Sequence, residues 1–346
     1  MIATRAPLRL SLGGGGTDLL SYSSRFGGFI LSAAITRYVY LSANRASFDG
    51  HIRVKTRENE DVESLSELKN EIVRPALEYV GIDRDIEIVF FGDLTGGAGL
   101  GSSSANLVNL MNVLTYYKRS PLGPQALAEA AAHVEINILG RPIGKQDHYL
   151  AAFGGVRILR IDRDGSVKVE DPEIPQDTLD DLRNNLLLFY THKKRMSGII
   201  LGEQKRLMEA GDEATLGYYH KVKDIGFAVH EALRSGDLVG FGELMHKQWM
   251  EKRRLAGGVS NPEFDRIYEV AREHGAIGGK LVGAGGGGCF LFLVEPSKKR
   301  MLKSILTNQE DLSEHPFEFD FHGAELVTAF AQRHESFPLR KIHSER

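Results

Sequence analysis

Residues 96–104 read GGAGLGSSS and lead into Asn106–Lys118, where apolar side chains recur every three to four positions. This spacing predicts an amphipathic helix, and the serines before it are favoured N-cap residues. Glycines let backbone N–H groups approach an anion, and a helix N-terminus adds partial positive charge. A predicted strand, Ile86–Phe91, lies just upstream. The stretch therefore predicts a phosphate-binding loop between a strand and a helix.

Two other phosphate motifs do not account for the glycines. A P-loop needs a glycine five positions before Gly-Lys, and neither Gly144-Lys145 nor Gly279-Lys280 has one. A Gly-x-Gly-x-x-Gly spacing at 283–288 leads into the predicted strand Cys289–Val294. A dinucleotide site needs a helix at that point, so this match lacks the required context.

The rest of the chain mixes strands and helices without strict alternation, which favours an α+β fold. An acidic segment with two prolines, Asp162–Asp180, suggests a connection between domains 1–181 and 182–346. Further strands are predicted at Val156–Ile161, Leu186–Tyr190 and Cys289–Val294. Further helices are predicted at Gln125–Leu139, at Asn261–Glu273 and as a pair within Thr215–Leu255 that breaks near Gly236.

Composition excludes several classes of protein. The 346 residues are 42% hydrophobic and 26% charged, with a formal net charge of -3, as in an ordinary globular protein. That balance indicates no nucleic-acid partner and no membrane partner. The one cysteine, Cys289, cannot form an internal disulfide and favours a reducing compartment. We find neither a signal peptide nor a long apolar span and expect a cytoplasmic protein, with homodimer formation left open.

Three glycine clusters together carry a resemblance to a known family. Ala6–Asp18 resembles the first motif of the GHMP kinases, the family of galactokinase, homoserine kinase, mevalonate kinase and phosphomevalonate kinase. Gly97–Ala105 resembles their second, nucleotide-binding motif, and Lys280–Cys289 resembles the third. The resemblance implies an ATP- and Mg²⁺-dependent kinase with the GHMP two-domain fold. Its N-terminal domain would be like domain 2 of ribosomal protein S5, and its C-terminal domain ferredoxin-like.

Three segments are similar to the bacterial D-glycero-D-manno-heptose 7-phosphate kinases: Gly14–Asp18, Gly144–Asp147 and Tyr190–Ser197. The resemblance implies a phosphorylated sugar substrate, phosphorylated at its anomeric C1 hydroxyl to a 1,7-bisphosphate for nucleotide-activated heptose and surface polysaccharide (capsule) biosynthesis. Two alternatives stay open. One is an anomeric kinase for fucose or mannose, and the other is a sugar or nucleotide sensor without catalysis.

The resemblance also implies roles for single residues. Asp147 would be the catalytic base, and Arg9 would also be catalytic, holding Asp147 ionised and stabilising charge on the transferred phosphoryl group. Ser103 and Glu135 would hold the metal. ATP would bind Gly97, Ala98, Gly99, Leu100, Gly101, Ser102, Ser103 and Ser104. Substrate would bind Thr17, Asp18, Gly15, Gly16, Lys145, Arg195, Lys252, Gly285 and Gly286. Wider candidates for a second phosphate are Arg141, Lys193 and Lys280.

Several of these residues also have a purely structural interpretation. Asp147 could cap a loop, Glu135 could be a solvated helix residue, and Thr17 and Asp18 could cap the helix that follows them. His148, beside the proposed base, departs from the glutamine that these kinases often carry at that place.

Overall fold

The computed structural model describes residues 1–45, 49–94, 96–193, 197–255 and 258–329. The strands are β1 (Ile2–Gly13), β2 (Gly28–Asn44), β3 (Ile52–Lys55), β4 (Glu60–Val62), β5 (Ile86–Gly92), β6 (Val156–Ile161), β7 (Val167–Glu170), β8 (Leu186–Tyr190), β9 (Ala276–Leu281), β10 (Cys289–Val294), β11 (Ser313–Glu314) and β12 (Glu325–Ala329). The helices are α1 (Leu20–Phe26), α2 (Val73–Val80), α3 (Ser102–Tyr117), α4 (Pro124–Ala132), α5 (Gln146–Phe153), α6 (Gln176–Asn185), α7 (Ser197–Glu209), α8 (Glu213–Arg234), α9 (Leu238–Leu255), α10 (Pro262–Glu273) and α11 (Lys299–Asn308).

The first sheet is built around the long strand β2. Its beginning, Gly28–Ala33, pairs with β6, and its end, Val39–Asn44, pairs with β5. On its other side β2 pairs with β1 along almost the whole length of β1. The order of the described strands is β12-β1-β2-β5-β3-β4; off this path, β6 pairs with β2 and β7 pairs with β6. Helices α3, α5 and α8 all pack against β1 and β2, and β1 is buried on both faces from Ala6 onward.

The second sheet has the order β11-β8-β10-β9 and is antiparallel. Its centre, β10, is a continuous apolar run that is buried on both faces. Helix α9 packs very closely on β9. A Cβ on Gly278 of β9 would lie only 1.8 Å from the carbonyl oxygen of Gly242 in α9, so only glycine fits there. Close contact here brings the end of α9 next to the glycine loop that follows β9.

Both sheets with their helices confirm the predicted α+β class, and the quoted strands and helix pair occur where they were expected. The start of α3 differs from the prediction, because Gly101 is its N-cap and the three serines form its first turn. The alanine-rich helix is also interrupted. It ends at Ala132 and continues as a π-helical turn, His133–Ile138, that carries Glu135 inward.

The segment 162–180 contains β7, which pairs with β6 in the first sheet, and the first turns of α6, which leads to β8 in the second. The last described strand, β12, returns to pair with β1. The division into 1–181 and 182–346 stays a prediction. Within the described ranges, none of the helices has the length and apolar character needed to cross a bilayer.

Candidate active site

A cavity of about 440 Å³ lies where the two sheets meet. Its walls come from the end of β1, the glycine loop before α3, the start of α5, the loop after β9, and helices α7, α8 and α9. All three glycine clusters of the sequence therefore converge on one place. This is the concave, partly polar kind of site that binds small molecules.

The glycine loop before α3 has a backbone that other residues rarely adopt. Gly97, Gly99 and Gly101 have φ angles of 95°, 88° and 78°. A Cβ on Gly99 would lie 2.7 Å from the Val282 carbonyl oxygen, so this loop packs directly against the third glycine cluster. The loop ends at the N-terminus of α3, where Ser102, Ser103 and Ser104 line the cavity. The geometry fits the predicted phosphate site.

Arg9 and Asp147 form a two-pronged ion pair at the cavity. Arg9 Nε donates to Asp147 Oδ1 at 2.7 Å, and Nη2 donates to Oδ2 at 2.8 Å. The remaining guanidinium nitrogen donates to the Gly99 carbonyl oxygen at 2.7 Å. Arg9 is 5% exposed, whereas the Asp147 side chain is 24% exposed. The carboxylate is thus held firmly from one side and stays accessible from the other.

A second charged group surrounds Glu135. Its Oε1 accepts hydrogen bonds from Ser103 Oγ and Arg141 Nη1, both at 3.0 Å. Its Oε2 lies 2.8 Å from His148 Nε2. Burial opposes ionisation, but the hydrogen bond and charge of His148, helped by Arg141, lower the pKa of Glu135 to about 2. Glu135 is therefore an ionised carboxylate inside the protein.

The oxygen atoms of Ser103 and Glu135 fit Mg²⁺ by their chemistry. Mg²⁺ prefers oxygen ligands and is commonly held by one or two carboxylates, with substrate phosphates and water completing its shell. The described residues contain no group of three or more His, Cys, Asp or Glu that could hold a metal alone. A magnesium ion held by Ser103 and Glu135 would take its other ligands from water and from phosphate oxygens.

Lys280 is a buried lysine in the same cavity. Its ammonium donates to the Leu12 carbonyl oxygen at 2.9 Å and to Gln248 Oε1 at 2.8 Å. Both acceptors are neutral, and Lys280 is 5% exposed. Burial, reinforced by the charge of Arg9, lowers the pKa of Lys280 to about 7.

The predicted sugar-binding loop after β1 lies partly at the cavity. Asp18 lines it, and its Oδ2 accepts a hydrogen bond from the Gln146 backbone at 2.8 Å. Burial, together with the charge of Asp147, raises the pKa of Asp18. Gly15 and Gly16 also line the cavity. Thr17 does not, because its hydroxyl lies 2.8 Å from the Gly14 carbonyl oxygen and accepts from the Phe29 backbone at 3.1 Å.

The other predicted substrate residues are divided. Lys252 lines the cavity and donates to the carbonyl oxygens of Leu281 and Gly283. Lys145 does not reach it, since its ammonium donates to both oxygens of Glu129 and to the Gly165 carbonyl oxygen. Gly285 and Gly286 pack against residues 258–259 instead. Arg195 lies outside the described residues.

The remaining predicted residues are the ATP-loop members Ala98 and Leu100 and the second-phosphate candidate Lys193. Ala98 and Leu100 are buried beneath the loop, 3% and 0% exposed, and support its backbone. Lys193 is exposed and lies 3.5 Å from Glu263. None of the three side chains lines the cavity.

Several cavity residues escaped the sequence analysis. Tyr219 is buried, its hydroxyl donates to Gln204 Oε1 at 2.8 Å, and a Cβ on Gly16 would lie 3.0 Å from its ring. Helical periodicity marks such residues as core, and nothing in their spacing indicates a site. Other cavity residues to which the sequence analysis gave no role include Ser11 on β1, Gln146 at the start of α5, and Gln204, Tyr218, Gln248 and Trp249 on α7, α8 and α9.

The sequence and the fold match known proteins. Residues 68–155 match the GHMP kinases N terminal domain, and residues 229–309 match the GHMP kinases C terminal. The chain is 30% identical over 330 residues to D-glycero-alpha-D-manno-heptose 7-phosphate kinase of Campylobacter jejuni, covering 89% of this chain and 94% of that protein. It is 24% identical to an L-fucokinase/L-fucose-1-P guanylyltransferase of Bacteroides fragilis, covering 88% of this chain and 36% of that protein.

Solved structures of similar fold lead to the same family. A D-glycero-D-manno-heptose 1-phosphate kinase from Bacteroides thetaiotaomicron superposes with a TM-score of 0.79 at 26% identity, covering 96% of this chain and 100% of that one. Methanococcus jannaschii mevalonate kinase, at 22% identity and a TM-score of 0.70 over 92% and 98% of the two chains, has the same fold. The chain belongs to the GHMP kinase family. The prediction of a sugar kinase of this family, with its two-domain fold, is confirmed.

Proposed function

We propose that this kinase transfers the γ-phosphoryl group of ATP to the C1 hydroxyl of D-glycero-D-manno-heptose 7-phosphate, giving the 1,7-bisphosphate. The product would serve nucleotide-activated heptose and surface polysaccharide synthesis. The similarity to the Campylobacter jejuni kinase supports the sugar. The observation that carries the reaction type is the accessible Asp147 carboxylate, held by Arg9 beside the glycine loop.

ATP would bind with its phosphates at the glycine loop. Backbone N–H groups at the start of α3 and the positive end of that helix favour the negative charge. Ser103 and Glu135 would hold Mg²⁺, which when bound neutralises charge on the phosphates. His148 keeps the Glu135 carboxylate in place from its buried side.

Asp147 would accept the proton of the C1 hydroxyl. Each oxygen of its carboxylate accepts one N–H from Arg9, which leaves lone pairs on the accessible side for the sugar. As the hydroxyl proton passes to Asp147, the C1 oxygen bonds to the γ-phosphorus and the bond to ADP breaks. Arg9 holds Asp147 at the reaction centre and contributes positive charge as the phosphoryl group transfers.

The acceptor sugar would lie toward Asp18 and the aromatic side chains of α8. Among the described residues that line the cavity, the basic ones are Arg9, Arg141, Lys252 and Lys280. Arg9 is paired with Asp147, Arg141 contacts Glu135, and Lys280 is only 5% exposed. We assign the phosphate at C7 to Lys252, which lines the cavity and donates to the carbonyl oxygens of Leu281 and Gly283 beside the loop after β9.

ADP release with ATP and Mg²⁺ tests this function. The acceptors are heptose 7-phosphate, mannose 6-phosphate, mannose and fucose, and Asp147→Asn is measured alongside wild type. The matched control is Asp83→Asn, since the Asp83 side chain is 80% exposed. We expect preference for heptose 7-phosphate and a loss of turnover in Asp147→Asn alone. Preference for an unphosphorylated sugar would overturn the acceptor assignment, and ATP binding without turnover on any sugar would favour a sensor.

A further inference from the structure

Arg141 contacts both atoms that are suited to hold Mg²⁺. Its Nη1 donates to Ser103 Oγ at 2.9 Å and to Glu135 Oε1 at 3.0 Å, while Ser103 Oγ itself donates to Glu135 Oε1. One guanidinium nitrogen thus lies between a hydroxyl and a carboxylate oxygen. Arg141 supplies the positive charge that these oxygens attract.

Arg141 and a divalent cation cannot both bind these two oxygens. Two positive groups on the same pair of atoms repel each other strongly at such short range. The Glu135 side chain is 2% exposed and its other oxygen is bound to the fully buried His148, so the carboxylate cannot turn away. The Arg141 side chain is 32% exposed and belongs to the loop before α5, so it is the group with room to move.

The phosphates of a nucleotide would offer Arg141 a new partner nearby. Ser103 is in the first turn of α3, directly after the glycine loop, so phosphates bound there arrive beside the guanidinium. A guanidinium binds phosphate oxygens in two-pronged fashion. We propose that Arg141 takes the place of the metal in the nucleotide-free kinase and moves from Ser103 and Glu135 onto the nucleotide phosphates when metal and ATP bind. This inference rests on the proposed function for the use of ATP with a divalent cation.

Binding measurements without acceptor sugar test the exchange. In Arg141→Met the competitor is gone, so Mn²⁺ should bind the nucleotide-free protein about fivefold or more tightly than wild type, measured by electron paramagnetic resonance. The same substitution removes a phosphate partner, so the Kd of Mg²⁺-ATP should rise about tenfold or more in calorimetry. The control Arg163→Met removes an exposed arginine and should change neither constant.

Tighter Mn²⁺ binding together with weaker ATP binding in Arg141→Met separates this role from a merely structural one. An arginine that only supports the site would weaken both Mn²⁺ and ATP binding when removed. Unchanged or weaker Mn²⁺ binding in Arg141→Met, or no Mn²⁺ binding in either protein, would overturn the proposal, and so would unchanged ATP binding. If Arg141→Met fails to fold, Arg141→Gln, which keeps a polar side chain, tests the same two signs. Because no acceptor is present, a failure of the heptose assignment leaves these results unaffected.

Discussion

Arg9 and Asp147 are 138 positions apart in the chain, yet two nitrogens of the guanidinium bind the two oxygens of the carboxylate at 2.7 and 2.8 Å. The third nitrogen binds the Gly99 carbonyl oxygen. One side chain on β1 therefore connects the start of α5 with the glycine loop. The proposed base and the proposed phosphate site are held at a set separation by a single arginine.

Replacing Arg9 should damage catalysis more than folding. In Arg9→Met, we expect kcat to fall about 100-fold or more, since the fork that holds Asp147 is lost. Arg9→Lys keeps the charge but not the two-pronged geometry, so its kcat should lie between those of wild type and Arg9→Met. Steady-state kinetics measure the effect. The control is Arg5→Met, on the same strand and paired with Glu325; an equal fall in both variants would contradict the prediction.

Gly101 should tolerate no side chain. Its φ is 78°, and a Cβ would lie 3.0 Å from the Asp147 carboxylate. Gly101→Ala should therefore lower the free energy of unfolding by about 1–3 kcal/mol and reduce kcat by displacing Asp147. Gly96→Ala, in the same loop, has no atom within 4 Å of the added Cβ and should change neither. Equal behaviour of the two variants in denaturant titrations and kinetics would disprove this explanation.

Lys280 should make stability depend on pH in a defined direction. Its pKa is lowered from 10.5 to about 7 in the folded protein. Between these values the unfolded chain binds more protons than the folded one, so stability rises with pH, by up to about 1.4 kcal/mol per pH unit. Lys280→Met should lack this rise, whereas the exposed Lys247→Met should keep it. The measurement is the free energy of unfolding at several pH values between pH 7 and pH 9. Equal slopes of this free energy against pH for wild type and Lys280→Met would refute the prediction.

Lys145 should contribute to stability rather than to substrate binding. Its ammonium binds Glu129, which also accepts from the Tyr149 hydroxyl. Lys145→Met should therefore cost about 1 kcal/mol of unfolding free energy and leave the KM for the acceptor unchanged. A double-mutant cycle with Glu129→Gln should show coupling of similar size. A marked rise in the KM for the acceptor in Lys145→Met would instead indicate that Lys145 binds the substrate.

Lys252 should discriminate between phosphorylated and unphosphorylated acceptors. Lys252→Met should raise the KM for heptose 7-phosphate about tenfold, because a charged contact to the phosphate is lost. The KM for mannose should stay as in wild type. Lys247→Met, an exposed lysine of the same helix, is the matched control. Equal changes in both KM values would mean that Lys252 supports the loop after β9 instead of binding phosphate.

Much of the fold was predictable from local signals. Short apolar runs predicted the strands β6, β8 and β10. The glycine at position 236 predicted the break between α8 and α9. The ends of elements were less accurate. Gly101, not a serine, caps α3, because a left-handed glycine lets the loop turn into the helix while the serines face the cavity.

The single-residue predictions divide according to where each side chain points. Lys145 is the N-cap of α5 and Asp147 is two positions further on, but Asp147 faces Arg9 and the cavity while Lys145 faces Glu129. Positions two apart on a helix point about 200° apart, almost to opposite sides, so a motif that contains both cannot show which one reaches the ligand. Tyr219 shows the reverse case, a site residue whose helical spacing resembles that of ordinary core.

The sequence by itself determined the three glycine loops, the residue types beside them and the family, because positive φ angles and helix N-termini are local properties of the chain. The tertiary structure decided which distant groups meet. Arg9 binds Asp147, and Lys280 donates to the Leu12 carbonyl oxygen, 268 positions away in the sequence. These contacts depend on how β1, α5 and β9 pack together, and it is packing that places Arg141 on the oxygens of Ser103 and Glu135.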